Sequence, residues 1–214
     1  MEARINTSWS FCKLLSMRNQ AASIFAFGTQ SIKDIWHHIR NKDDKVTWHK
    51  LFWLPLHVPK YNIITWMAFL DRLPTKDRLI RMGFNIDGIC VLCNEEMETR
   101  DHLFLHCTVA NSVWSSVLNL NGICRGTCSW SARISWAFAS WKGKSLLTAI
   151  MKLAWTTFTY IIWEERNKRI YQRRSRNVNA LLLAIKDSVG IQLKSREINR
   201  NDYVNSALCI QWGY

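Results

Sequence analysis

Three cysteines and two histidines fall within the stretch CVLCNEEMETRDHLFLHC, residues 90–107. Cys90 and Cys93 are separated by two residues. His102 follows after eight more and Cys107 after another four, giving C-x2-C-x8-H-x4-C. A two-residue spacer lets a tight turn aim both sulfurs at one ion. Three thiolates and one imidazole then complete a closed tetrahedral Zn2+ site. A closed site leaves no position for a reacting water, so the chemistry it implies is structural, not catalytic. His106 is the alternative imidazole, but it adjoins Cys107, and neighbouring side chains diverge by about 100° on a helix. Free core cysteines are a second reading of the same residues. A redox pair of the thioredoxin kind fits poorly, because no strand precedes Cys90 and no βαβ pattern surrounds it. The acidic residues between the ligands, Glu95, Glu96, Glu98 and Asp101, read for the most part as solvated loop. The second reading has Asp101 or Glu98 accept a hydrogen bond from a ligand histidine.

The elements around this stretch read as helices. SIKDIWHHIRN offers a Ser N-cap followed by Ile32, Ile35, Trp36 and Ile39 at helical spacing. A short helix is expected from Trp48 to Trp53, ended by Pro55 and Pro59. YNIITWMAFLDR is apolar almost all round, which predicts a helix central to the core. LPTKDRLIRMG has Thr75 as N-cap, Asp77 in the first turn and Gly83 as the stop. TVANSVWSSVLNLNG, the stretch from 145 to about 172, and NVNALLLAIKDSVGIQLKSREI complete the set. No convincing strand is present, and the fold class expected is all-α. The expected core joins Trp53, Ile64, Trp66, Phe69, Leu79, Leu103 and Trp114 beneath the cysteine-rich loop.

One helix could mislead. SLLTAIMKLAWTTFTYIIW, residues 145–163, is nearly long enough to span a bilayer. Lys152 near its middle and four threonines argue for a buried helix of the fold and against a membrane partner. The seven cysteines are odd in number, and the first residues lack the apolar core and cleavage site of a secretory signal. The expectation is an intracellular protein, nuclear or cytoplasmic, with Cys124 and Cys128 as free thiols.

The formal net charge is +13, which points to a polyanionic partner, RNA or DNA before a membrane surface. Residues 142–200 hold thirteen Lys and Arg against four Asp and Glu. Arg166, Lys168, Arg169, Arg173, Arg174 and Arg176 are the densest cluster and the expected nucleic-acid contacts, with Lys60, Lys76 and Arg78 as additions. A solvated helix end is the other reading of the same cluster, and composition alone does not choose.

Three segments, DIWHHI, WHKLFWLPLHVPKYNIITWMAFLDRLPTKDRLIRMG and CVLCNEEMETRDHLFLHCTVANSVW, together resemble the zinc-binding domain that follows the reverse transcriptase in plant non-LTR (LINE-type) retrotransposons. The resemblance rests on Trp53, Pro59, Lys60, Trp66, Leu73 to Thr75, Cys90, Cys93, Glu98, Thr99, His102 to Phe104, Cys107 and Trp114. It covers roughly residues 31–118, and IIWEERNKRIYQ resembles the segment leading to a ribonuclease H domain in such elements. The polymerase's Tyr-x-Asp-Asp motif is missing: Asp43 and Asp44 follow Asn41 and Lys42. Two-metal chemistry needs clustered carboxylates, and no such set is legible. The expectation is a nonenzymatic zinc module in four parts. These are a weakly structured segment at 1–30, the zinc-binding domain at 31–120, a loop or linker at 121–144 and a basic helical region at 145–214. A structural or protein-interaction domain without nucleic-acid binding is the alternative.

Overall fold

In a computed structural model the chain divides into two units, residues 1–46 and 47–214. The structure describes residues 18, 33, 47–53, 57–194, 198 and 202–213. The segment expected at 1–30 and the helix expected over SIKDIWHHIRN therefore lie outside the described residues, apart from two isolated positions.

The second unit is helical. A 3-10 turn at Thr47–Leu51 leads to α1 (Pro59–Phe69) and α2 (Lys76–Arg81). The cysteine-rich loop follows and ends in a single π turn at His102–His106. Then come α3 (Thr108–Asn119), α4 (Trp130–Ser140), α5 (Leu146–Gln172), α6 (Val178–Leu193) and α7 (Tyr203–Trp212). Among the described residues the strand content is one isolated antiparallel bridge, Ile89 to Met97. The all-α expectation therefore holds.

Each helix starts where local chemistry allows. Pro59 occupies the first turn of α1, where its missing N–H costs nothing. Ser129, Ser145, Asn177 and Asp202 accept hydrogen bonds from Ala132, Thr148, Ala180 and Asn205 at the heads of α4 to α7. Gly83, at φ +92°, turns the chain out of α2 as its position suggested. The stretch 121–144, expected as a loop or linker, contains the eleven-residue α4. The serines of SWSARISWAFAS obscure the apolar spacing that buries Trp130 and Ala137, and Ser129 is the cap that starts the helix.

The long helix α5 is the hub, packing against α1, α3, α6, α7 and the π turn. By length and composition it could cross a membrane, yet 78% of its apolar window is buried inside the fold. The residues that looked wrong for a core are satisfied in place. Thr156 and Thr159 donate back to carbonyls on their own helix. Lys152 Nζ donates to the Lys50 carbonyl at 3.1 Å, while burial lowers its pKa.

The interior is aromatic. Trp155 lies 5.0 Å from Trp114 edge-on, 6.1 Å from Trp130 and 5.9 Å from Phe158, measured between ring centres. Arg133 is buried among them, its guanidinium 5.5 Å from Trp114 and 5.7 Å from Trp155. Leu103 and Trp114 are core as expected, and Ile64 and Phe69 pack against it. Trp53 and Trp66 are instead 46% and 41% exposed, and Leu79 is half-buried outside that core. Helix α1 is apolar all round but lies at the surface of α5, and it buries Asn62, Thr65 and Ala68 instead. Asn62 is buried because its amide donates to the Phe52 carbonyl at 2.6 Å.

Candidate metal centre

The cysteine-rich loop is a short hairpin closed by a turn. The Asn94 amide donates to the Cys90 carbonyl, and Asn94 takes a left-handed φ of 60°. Asn tolerates that conformation better than most residues. The Cys90 amide donates to the Glu96 carbonyl and the Glu98 amide to the Gly88 carbonyl, so the chain returns alongside itself. At Gly88 a Cβ would meet the Met97 Sδ at 2.7 Å, a contact that the flexible, exposed end of that side chain can relieve.

The π turn supplies the other two donors. Its wider ring, closed by the Cys107 amide on the His102 carbonyl at 2.7 Å, lets both His102 and Cys107 face the hairpin. Cys107 then stands at the N-cap of α3, where the positive end of the helix favours a thiolate. As a result the donor atoms of Cys90, Cys93, His102 and Cys107 all lie within 4.8 Å of one another. Ligands about 2.3 Å from a zinc ion at tetrahedral angles would be about 3.8 Å apart, so this cluster fits the ion closely. Cys93 Sγ is 3.3 Å from His102 Nε2. His106 is exposed and not part of the cluster, which resolves the choice between the two histidines in favour of His102.

The polar surroundings suit a bound cation. Backbone amides of Leu92 and Cys93 hydrogen-bond to the Cys90 sulfur. Cys90 is held down at about 4, chiefly by a hydrogen bond from Cys107, and the same bond pushes the Cys107 thiol up. Sulfurs this close share a proton or a metal, since adjacent thiolates repel. His102 Nδ1 lies 3.0 Å from Glu96 Oε2. That contact fixes which ring nitrogen faces the sulfurs. It comes from Glu96, which the sequence left as solvated loop, and not from Asp101 or Glu98.

Glu98 has a different role. It is fully buried, accepts from Arg166 Nη2 at 2.7 Å and Nε at 3.0 Å, and receives the Lys76 amide at the head of α2. Arg166 Nη2 also reaches the Pro74 carbonyl. About one turn further along α5, Arg169 donates to the Leu92 carbonyl at 2.9 Å, inside the Cys-x2-Cys turn. The basic stretch of α5 thus docks the loop. Sequence reasoning missed the contact of Glu96 with His102, the pairing of Glu98 with Arg166 and the second use of the arginines. The only signal was the carboxylate spacing, which does not name a partner.

This corrects the picture of one phosphate-binding cluster. Arg166 is buried and paired with Glu98. Arg169 bonds Glu165 at 2.9 Å, and Arg176 bonds Glu165 and Glu164 at 2.8 and 2.9 Å. Burial works against the charge of Glu165, but hydrogen bonds from Arg176 and Arg169 outweigh it and hold its carboxyl below the usual range. Lys168 is partly exposed and paired with Glu164 at 3.1 Å. Arg173 and Arg174 are exposed, at the left-handed turn that ends α5. Of the additions, Lys76 donates to Asp87 and the Ile89 carbonyl, Arg78 donates to the Asp71 carbonyl, and Lys60 is exposed.

Residues 30–114 match the profile of a family described as zinc-binding in reverse transcriptase. The match takes in all four clustered donors and is to the zinc-binding region, not to the catalytic domain. It also stops before α4 to α7, although α5 carries the arginines that hold the loop. No curated protein and no solved structure is detectably similar to the chain.

Proposed function

We propose that this chain is a nonenzymatic module of non-LTR retrotransposon origin. In this reading Cys90, Cys93, His102 and Cys107 hold one structural Zn2+, and the exposed cations contact RNA or DNA. The observation that carries the zinc part is the convergence of the four donors within 4.8 Å, with amides aimed at a sulfur and a carboxylate behind the imidazole. Bound there, zinc would supply a cross-link between the hairpin and the head of α3, with all four protein ligands filling its sphere. Each protein group has a separate part: Glu96 orients His102, while Arg166 and Arg169 hold the hairpin from behind.

The nucleic-acid part is supported by the net charge of +13 and by the exposure of Lys60, Arg173 and Arg174. Such binding would be largely electrostatic and tolerant of sequence. Its log–log salt slope is expected to be roughly −0.7 per contact on single strands. Metal analysis of purified protein tests the first part, with one zinc per chain expected. Fluorescence anisotropy with single-stranded RNA at several salt concentrations tests the second. A zinc-loaded, folded sample that binds nothing at low salt would leave a structural or protein-docking domain as the better reading.

A further inference from the structure

Between α1 and the second half of α5 lies a groove of about 400 Å³, within the roughly 300–1,000 Å³ of pockets that take small organic groups. Its floor is apolar and aromatic: Ile64, Tyr160 and the nearly buried Trp163. Tyr160 is fixed by stacking on Tyr61 at 4.4 Å. The wall carries hydrogen-bonding groups held by the fold. Glu164 Oε2 is taken by Lys168 and Arg176, so the neighbouring cations offset its charge and Oε1 is left to accept. Asn167 Oδ1 accepts from Arg166, which leaves the amide NH2 as a donor. At the rim stands Tyr171, 75% exposed.

We propose that this groove takes an unstacked base of a single-stranded nucleic acid, with Tyr171 as its stacking partner. The inference rests on the nucleic-acid reading above and gives it a place. A flat ring matches an aromatic floor, and donor and acceptor groups at the wall match the edge of a base. The cations are where a backbone would run. Lys60 Nζ sits 4.8 Å over the Tyr160 ring at one end. Arg173 and Arg174 stand just past Tyr171 at the other, about 20 Å further along the helix axis. Bases in a duplex are stacked and paired, so a duplex meets only the cations.

The experiment is an anisotropy titration of the zinc-loaded full chain with labelled single-stranded RNA, single-stranded DNA and a duplex, comparing wild type with Tyr171→Ala. Tyr171 is exposed, so its truncation leaves the fold intact, and circular dichroism checks this. Wild type should bind both single strands more tightly than the duplex. Tyr171→Ala should lose about fivefold or more on single strands, the usual loss for one stacked base, with duplex binding unchanged. A preference for RNA over DNA would place the 2′-hydroxyl in the contact. Wild-type binding that Tyr171→Ala leaves untouched on every strand would overturn the groove while the nucleic-acid reading stands. No binding by wild type at low salt would overturn both.

Discussion

The cysteine-rich loop and the aromatic interior are adjacent, but they are held in different ways. Around Trp155 the packing is redundant: Trp114, Trp130 and Phe158 each touch it, and burial of apolar area supplies the stability. Leu103, Phe104 and Leu105 of the π turn belong to the core, but the hairpin from 84 to 97 buries far less. Phe84, Ile86 and Met97 are exposed, and its only strand pairing is one bridge. It is fixed by single, directional contacts: the cluster of four donors that could hold one ion, Glu98 on Arg166, and two carbonyls on Arg169. Directional contacts fail one at a time and completely, whereas packed rings share a loss.

The largest expected effect follows from removing the metal. Zinc binding is worth about 10–16 kcal/mol in small zinc domains, because the ligands are not preorganised in the unfolded chain. Chelation, or Cys93→Ser, should abolish hydrogen-exchange protection across the hairpin at 84–97 while α5 and α6 stay protected. Loss of protection throughout the chain would show that the two regions are not separable.

Two substitutions of similar size should then have different reach. Trp155→Ala should cost about 3–5 kcal/mol, as buried large-to-small changes do, and lower the melting temperature of the whole unit. Arg166→Met should cost about 3–5 kcal/mol by leaving Glu98 buried and unpaired. Its effect should centre on the loop and the head of α2, and zinc affinity should fall with it. Equal loss of zinc in Trp155→Ala and Arg166→Met would erase the distinction between them.

Much of this division could be read in advance. The spacing of Cys90, Cys93, His102 and Cys107 located the donor cluster, and Thr75 and Gly83 located the two ends of α2, because both are local signals. Partnerships across the fold were not legible. Arg166 and Glu98 are 68 residues apart, so a charge count treats the arginine as free when it is consumed. Trp66 looked like core because α1 is apolar on every side. Only the position of α5 decides which side is covered. Helix α4 was hidden by its serines.

Smaller effects sharpen the same contrast. The carboxyl of Glu165 is depressed by its arginines, so its contribution is present above the usual carboxylate range, near pH 4–5. That contribution is lost as pH falls through the lower folded value. Acid should therefore loosen the α5–α6 turn. Unfolding of Cys93→Ser followed from pH 7 to pH 2 isolates this from protonation of the zinc ligands, and a pH-independent stability would remove the network from the account. Trp66→Ala should cost only about 1 kcal/mol or less, since the ring is 41% exposed. A fall as large as that of Trp155→Ala would mean that α1 buries more than its surface position indicates.

The most direct measurement is zinc K-edge X-ray absorption on the purified chain. The expected first shell is three sulfurs at about 2.3 Å and one nitrogen at about 2.0–2.1 Å, lost in Cys93→Ser. A shell of nitrogen and oxygen only, or a Cys93→Ser protein that keeps one zinc in the same shell, would contradict the assignment of Cys90, Cys93, His102 and Cys107.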